Sequence, residues 1–169
     1  MAVIASLVLG ADGSSTLGGS SDAITTLVDR ERFLIRRRSS DALIIGGNTA
    51  RNERYRRTPV PLVVVSRSQP EILEQNPLAH WWSVSPSEAV TRAQEEFGER
   101  ISIEGGVALV SELLDAHLIT QLELSITPHI GGANRVNHFE LLAHFENVET
   151  NYVEETIFYT CTTPIMFPR

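Results

Sequence analysis

Apolar and polar positions along this chain follow two rhythms in turn. Near-continuous apolar runs occur at 2–10 (AVIASLVLG), 41–45 (DALII), 62–65 (LVVV), 101–103 (ISI) and 121–126 (QLELSI), the signature of strands buried on both faces. Between them the spacing turns helical. Leu27, Val28, Leu34 and Ile35 share one helical face. The stretch from Pro86 to Phe97 opens with a capping box at Ser85 and Glu88, has Pro86 at the first helical position and closes at Gly98. A third helix is predicted over Ala108 to Ala116. Near the end, Ile157, Tyr159 and Cys161 alternate, which predicts a strand over Tyr152 to Cys161 that pairs antiparallel with residues near Val148. The order strand, helix, strand, strand, helix, strand, helix, strand predicts an α/β domain. Its sheet is central, mixed and mostly parallel, has helices on both faces and ends in a C-terminal antiparallel hairpin.

Two of the apolar runs end in paired glycines, ALIIGGNTAR at 42–51 and ISIEGG at 101–106. Glycine at a strand's carboxyl end lets the backbone turn with positive φ and approach a ligand closely, and the crevice outside such strand ends is the usual ligand site of an open α/β sheet. Gly46, Gly47, Gly105 and Gly106 are therefore candidate binding positions, with close packing of strand against helix as the alternative reason for them. The helix that follows Gly106 offers the unpaired N–H groups of Val107, Ala108 and Leu109 and the positive end of its dipole, a setting that favours phosphate. Glu104 ends an otherwise apolar strand and needs a partner, either a backbone amide or a ligand hydroxyl or amine. Beyond the valine strand, Ser66 and Arg67 can grip a phosphate monoester or form an ordinary polar turn. The glycine- and serine-rich segment 11–22 is long enough for a functional loop.

Composition narrows the chemistry. The 169 residues suit one domain. The net charge is −7 and all fourteen cationic residues are arginines. Without lysine there is no Schiff base, no pyridoxal-phosphate anchor and no G-x-x-x-x-G-K phosphate loop, and the acidic balance argues against nucleic acid as partner. Cys161 is the single cysteine, so neither an intrachain disulfide nor a cysteine zinc cluster can form, which favours a reducing compartment. The histidines lack the H-E-x-x-H spacing, no metal is assigned, and no G-x-S-x-G elbow supports a serine hydrolase. The apolar start is too short to cross a bilayer. A cytoplasmic protein is expected.

Taken in order, Asp12-Gly13, the serine-rich loop, the arginine-bearing helix, DALIIGGNTARNE, PLVVVSR, ISIEGGVALVSELLDAHLI and LELSITPHIGG resemble the RibD-type C-terminal reductase domain of riboflavin biosynthesis. The resemblance implies a dihydrofolate reductase-like fold with three layers, α/β/α, and NADPH lying across the strand ends. It also implies a single reductase domain over 1–169 without the zinc deaminase half, and a homodimer formed through the tail strands. On that pattern Gly46, Gly47, Thr49, Glu53, Ser66, Arg67 and the segment Gly105 to Leu109 meet the cofactor. Asp12, Ser21, Arg37, Arg57 and Glu104 meet the substrate, with the arginines toward its 5′-phosphate and Glu104 orienting the reacting sugar or pyrimidine. The implied reaction is hydride transfer to C1′ of the ribose of 5-amino-6-(5-phosphoribosylamino)uracil or its diamino precursor. An enzyme of the same fold acting on another pterin, pyrimidine or carbonyl, and a nucleotide-binding paralogue without catalysis, are the alternatives.

Overall fold

Strand β1 (Ala2–Gly10) alternates strictly between two environments, and the whole architecture follows from that alternation. Val3, Ala5, Leu7 and Leu9 enter the main core, while Ile4, Ser6 and Val8 face the other way. The computed structural model describes residues 1–166. After β1 come β2 (Ser14–Thr16), α1 (Leu27–Arg38), β3 (Ala42–Gly46), α2 (Gly47–Asn52), β4 (Leu62–Val65), α3 (Ile72–Gln75), β5 (Ala79–Trp82), α4 (Pro86–Glu96), β6 (Arg100–Glu104), α5 (Val107–Asp115), β7 (Gln121–Thr127), β8 (Ala133–Arg135), α6 (His138–Leu142), β9 (Phe145–Val153) and β10 (Thr156–Pro164). Eight strands form one sheet in the order β5-β4-β3-β6-β1-β7-β10-β9. The first six run parallel, and β10 and β9 close the sheet as an antiparallel hairpin.

The two faces of the central strands differ in chemistry. On one, Ile101 and Ile103 of β6, the odd residues of β1, and Leu122, Leu124 and Ile126 of β7 join Ala89, Val90 and Ala93 of α4 and Leu109, Val110 and Leu113 of α5 in a continuous apolar core. On the other, β6 presents Ser102 and Glu104, β1 presents Ser6, and β7 presents Glu123, Ser125 and Thr127, and α1 covers this polar face. A smaller apolar cluster of Leu43, Ile45, Leu62, Val64, Tyr55 and Ile72 closes the same side farther along the sheet.

The predicted strands and the two later helices agree with the structure to within a residue or two. Ser85 caps α4 by accepting the Glu88 N–H at 3.2 Å. Three expectations are corrected. In α1, Leu27 and Ile35 are exposed, and the inward side is instead Asp29, Phe33, Arg36 and Arg37, because the sheet face beneath is polar. The strand expected over Tyr152 to Cys161 is two strands, broken at Glu154 where φ is +53°, so Tyr152 belongs to β9. The pairing of Val148 with Cys161 holds. The serine-rich loop contains β2, which pairs with β8 in a separate two-stranded sheet. Gly132 makes that approach possible, since a Cβ there would lie 2.1 Å from the Thr16 carbonyl oxygen.

Candidate active site

A cleft of about 190 Å³ opens between α1 and the carboxyl ends of β1 and β6. Strand register sets its floor. Ser6 stands beside Glu104 on one neighbouring strand and beside Glu123 on the other, which leaves two carboxylates and a hydroxyl in one row beneath α1. The helix answers with two successive arginines. Arg36 Nε donates to Ser6 Oγ at 3.1 Å, and its Nη1 lies 3.9 Å from Glu123. Arg37 donates from Nε to both Glu104 oxygens at 3.0 and 3.1 Å and from Nη2 to Oε2 at 2.6 Å. This forked, charge-assisted pairing is the strong kind. The rings of Phe33 and Tyr55 lie 4.6 and 4.9 Å from the Arg37 guanidinium carbon, within cation–π range.

Burial shapes the protonation of this group. Glu104 is 1% exposed, and burial pushes its carboxyl above the ordinary glutamate value against the pull of Arg37. Burial by itself would lower Arg37, but its bonds to Glu104 leave the guanidinium above its ordinary value. Burial, followed by the Glu104 charge, pushes the Tyr55 hydroxyl well up. Tyr55 therefore stays a neutral donor, reaching the Glu104 carbonyl oxygen at 3.5 Å. Its own carbonyl accepts from Asn76 Nδ2 at 2.8 Å, which fixes the loop that carries it.

Gly105 and Gly106 form the far end of the cleft, and Gly46 and Gly47 lie outside its lining. Gly105 and Gly106 have φ of +68° and +46°, and a Cβ on either would touch Thr49 at 3.5–3.6 Å. No side chain caps α5. Gly47 lets β3 and α2 approach the end of β4, since a Cβ there would meet Ser66 Cβ at 2.9 Å. Gly46 differs from all of these: its φ is −84° and a Cβ on it would meet nothing within 4 Å. Across the cleft, Glu53 accepts the Ser21 N–H at 2.7 Å and the Ser20 hydroxyl at 3.0 Å, and so ties the end of α2 to the serine loop.

Of the residues singled out in the sequence, the cleft gathers Ser21, Arg37, Thr49, Glu53, Glu104, Gly105, Gly106 and Val107. Several expectations change. Arg37 gives its Nε and Nη2 to Glu104, so the partner that Glu104 needed comes from the protein. Arg57 is exposed and outside the cleft, whereas Arg54 lines it. Asp12 also lies outside the cleft. Its carboxylate accepts from the Ser14 hydroxyl at 2.6 Å and the Gly131 N–H at 2.8 Å and pairs with Arg135 at 3.2 Å, which lowers it to about 2 and fastens β2 to the β8 segment. Ser66 donates its hydroxyl to the Ser68 carbonyl at 2.6 Å, and Arg67 is exposed at the same turn. Leu109 puts its side chain in the core, leaving only its N–H for a ligand. Sequence reasoning missed Asp29, Phe33, Arg36 and Tyr55. For Asp29, Phe33 and Arg36 the face of α1 away from Leu27 and Ile35 read as an ordinary solvent face, and Tyr55, in the segment after α2, gave no signal.

A mostly parallel sheet with a terminal antiparallel hairpin, and a polar cleft at its strand tips between α1 and the Gly105-Gly106 turn, gives a domain with a dihydrofolate reductase-like fold. The chain belongs to the RibD C-terminal domain family, which it matches over residues 1–157. Solved structures share the fold at low identity. A diaminohydroxyphosphoribosylaminopyrimidine deaminase/5-amino-6-(5-phosphoribosylamino)uracil reductase from Thermotoga maritima superposes with a TM-score of 0.75 at 16% identity, over 97% of this chain and 56% of that one. A pyrimidine reductase-like protein from Corynebacterium diphtheriae gives 0.70 at 17%, over 98% and 92%. RibD from Acinetobacter baumannii gives 0.69 at 16%, over 97% and 58%. The chain thus spans a little over half the length of the Thermotoga and Acinetobacter proteins. No curated protein sequence matches it.

Proposed function

We propose that this chain is an NADPH-dependent pyrimidine reductase that converts the ribose of 5-amino-6-(5-phosphoribosylamino)uracil, or of its diamino precursor, to the ribityl chain. The observation that carries the reading is Gly46. Neither its φ nor its packing requires glycine; it ends β3 in the turn that leads to Thr49, which lines the cleft with Gly105 and Gly106, and a side chain there would take open space that a bound nicotinamide ring or diphosphate would use. The residues present fit that cofactor. The free N–H groups at the start of α5 and the glycine turn would hold the diphosphate, Thr49 and Val107 would flank the path toward the cleft, and Ser66 with Arg67 would meet the adenosine phosphate. When bound, NADPH supplies the hydride.

The protein's part is alignment. Glu104, held by Arg37 on both oxygens, keeps its remaining lone pairs in a fixed direction and accepts a sugar hydroxyl or pyrimidine N–H, so that C1′ faces the cofactor. Such positioning accounts for a large share of a two-substrate barrier. With the cofactor bound, hydride addition at C1′ would be balanced by opening of the bond from C1′ to the ring oxygen, which would take a proton from water. Among the described residues no helix is long and apolar enough to cross a membrane. A cytoplasmic homodimer belongs to the same reading: β9 is the outer strand of the sheet, with Val148 and Tyr152 exposed along it.

The test is NADPH consumption by the purified chain with the ribosylaminopyrimidine phosphate, with dihydrofolate as control. Turnover of the former with the ribityl product supports the proposal; turnover of dihydrofolate alone, or NADPH binding without turnover of either, refutes it. Gly46→Ala should bind NADPH at least about tenfold more weakly while unfolding no earlier than the parent protein, because an alanine that fits the backbone costs the fold nothing.

A further inference from the structure

Among the described residues four carboxylates line the cleft, and the protein answers three of them. Glu104 is forked by Arg37, Glu53 takes the Ser21 N–H and the Ser20 hydroxyl, and Asp22 lies between Arg30 and Arg54 at 3.5 and 3.6 Å. Asp29 is the fourth. It is 5% exposed, and its Oδ2 accepts the Thr25 hydroxyl at 2.5 Å. Among the described residues no donor reaches Oδ1 and no cation pairs with the group. Arg36 stands near enough to feel the Asp29 charge, but it gives Nε to Ser6 and turns Nη1 toward Glu123. We propose that Asp29 reads the heterocycle of the substrate: its free oxygen accepts from the 2-amino group of a 2-aminopyrimidin-4-one, so that the chain reduces the diamino compound in preference to the uracil. This rests on the reading of the chain as a pyrimidine reductase.

A buried carboxylate is costly unless donors satisfy it, and here the protein supplies one hydroxyl for about four lone-pair sites. What fills the cleft supplies the rest. A phosphate brings negative charge and acceptor oxygens and is repelled, whereas an amine beside a ring N–H brings two donors on one edge, which suits a carboxylate. The uracil presents a carbonyl where the diamino compound presents that amine, and an acceptor facing an acceptor leaves both unpaired. Placement agrees. Asp29 stands eight residues before Arg37 on α1, about 12 Å along the axis, so it meets a different part of the ligand from Glu104 and the Gly105-Gly106 turn. Phe33, one helical turn on, lines the same wall and offers its ring to a planar heterocycle. The Asp29 N–H donates to the capping hydroxyl of Thr26 at 3.3 Å. Together with the Thr25 bond, this fixes the carboxylate before a ligand arrives, which keeps the ordering cost of recognition low.

Calorimetric titration with three ring compounds tests the assignment: 2,5,6-triaminopyrimidin-4-one, 5,6-diaminouracil, and 5,6-diaminopyrimidin-4-one, which keeps the ring and lacks the 2-amino group. The parent should bind the first at least about tenfold more tightly than either of the others, because a buried acceptor rejects the analogue that lacks its donor. In Asp29→Asn the amide oxygen still accepts from Thr25, so the thermal midpoint should hold. Its preference should vanish or turn toward the uracil, since the amide N–H donates to a carbonyl. Equal binding of the three compounds by the parent, binding of none, or an unchanged preference in Asp29→Asn overturns the assignment. The comparison within the parent decides it even if the variant fails to fold. The outcome is separable from the reductase assay. Turnover of the phosphoribosyl uracil as efficiently as of the diamino compound removes the assignment and leaves the reductase, whereas an amine preference in a chain that reduces neither leaves the recognition site and removes the reductase.

Discussion

Breaking the Arg37–Glu104 pair from one side should be among the most damaging single changes this domain can suffer. The side chains are 10% and 1% exposed and share three hydrogen bonds. In Glu104→Gln the guanidinium stays under α1 facing a neutral amide; in Arg37→Met the carboxylate stays there with only Arg36 nearby. Removing one partner of a buried pair costs about 3–5 kcal/mol, against a total stability of about 5–15 kcal/mol for a domain. At about 2–4 °C per kcal/mol for a chain of this size, each single variant should unfold roughly 10 °C below the parent. The double variant Arg37→Met/Glu104→Leu removes both charges and should recover most of the loss. Urea unfolding of the four proteins gives the coupling directly, expected at about 2 kcal/mol or more. Single losses that simply add in the double variant, to within about 0.5 kcal/mol, would refute the pairing as an energetic unit. The same cycle carries a pH signature. Because burial raises the folded-state pKa of Glu104 above its unfolded value, its contribution is fully present below the ordinary glutamate pKa and is lost as pH rises through the folded value. Glu104→Gln should lack that decline.

Three further changes follow from local geometry. Asp12 has the opposite sign: its pKa falls from 3.8 to about 2, so the stability it contributes is present above 3.8 and lost as pH drops toward 2, and the difference between parent and Asp12→Asn should vanish across that window in acid titrations followed by circular dichroism. Ser85→Ala removes the hydroxyl that caps α4 and should cost about 1 kcal/mol by chemical denaturation, with no change in ligand affinity. Gly47→Ala places a methyl 2.9 Å from Ser66 Cβ and should lower the thermal midpoint by several degrees, in contrast to Gly46→Ala one residue earlier.

How far the sequence could be read depended on which side of the sheet a residue serves. The apolar runs that became β1, β3, β4, β6 and β7 were plain because both strand faces near the core are buried, and α4 was plain because Ser85, Pro86 and Glu88 mark its start by local chemistry alone. Helix α1 was misread because pattern analysis assumes that the inward face is apolar; here the inward face holds Asp29, Arg36 and Arg37, and the apolar Leu27 and Ile35 point outward. Strand β5 was missed since His80 and Trp81 are exposed at a sheet edge, and β2 and β8 because polar residues and glycines carry no period. Within the site, the glycines and Glu104 could be named from their position after apolar strands. That Glu104 is answered by Arg37, 67 residues earlier in the chain, depends on a register that only the folded sheet supplies.

The polar underside of α1 has a mechanical consequence. Elsewhere the layers adhere through interlocked hydrocarbon, which tolerates a swap for another apolar side chain of similar volume; along this seam they adhere through a buried charge fork that salt hardly screens. A substitution that leaves one charge unanswered should therefore speed amide exchange along α1 while the α4 and α5 side of the molecule stays closed, making the roof of the cleft the part that a single change opens most readily.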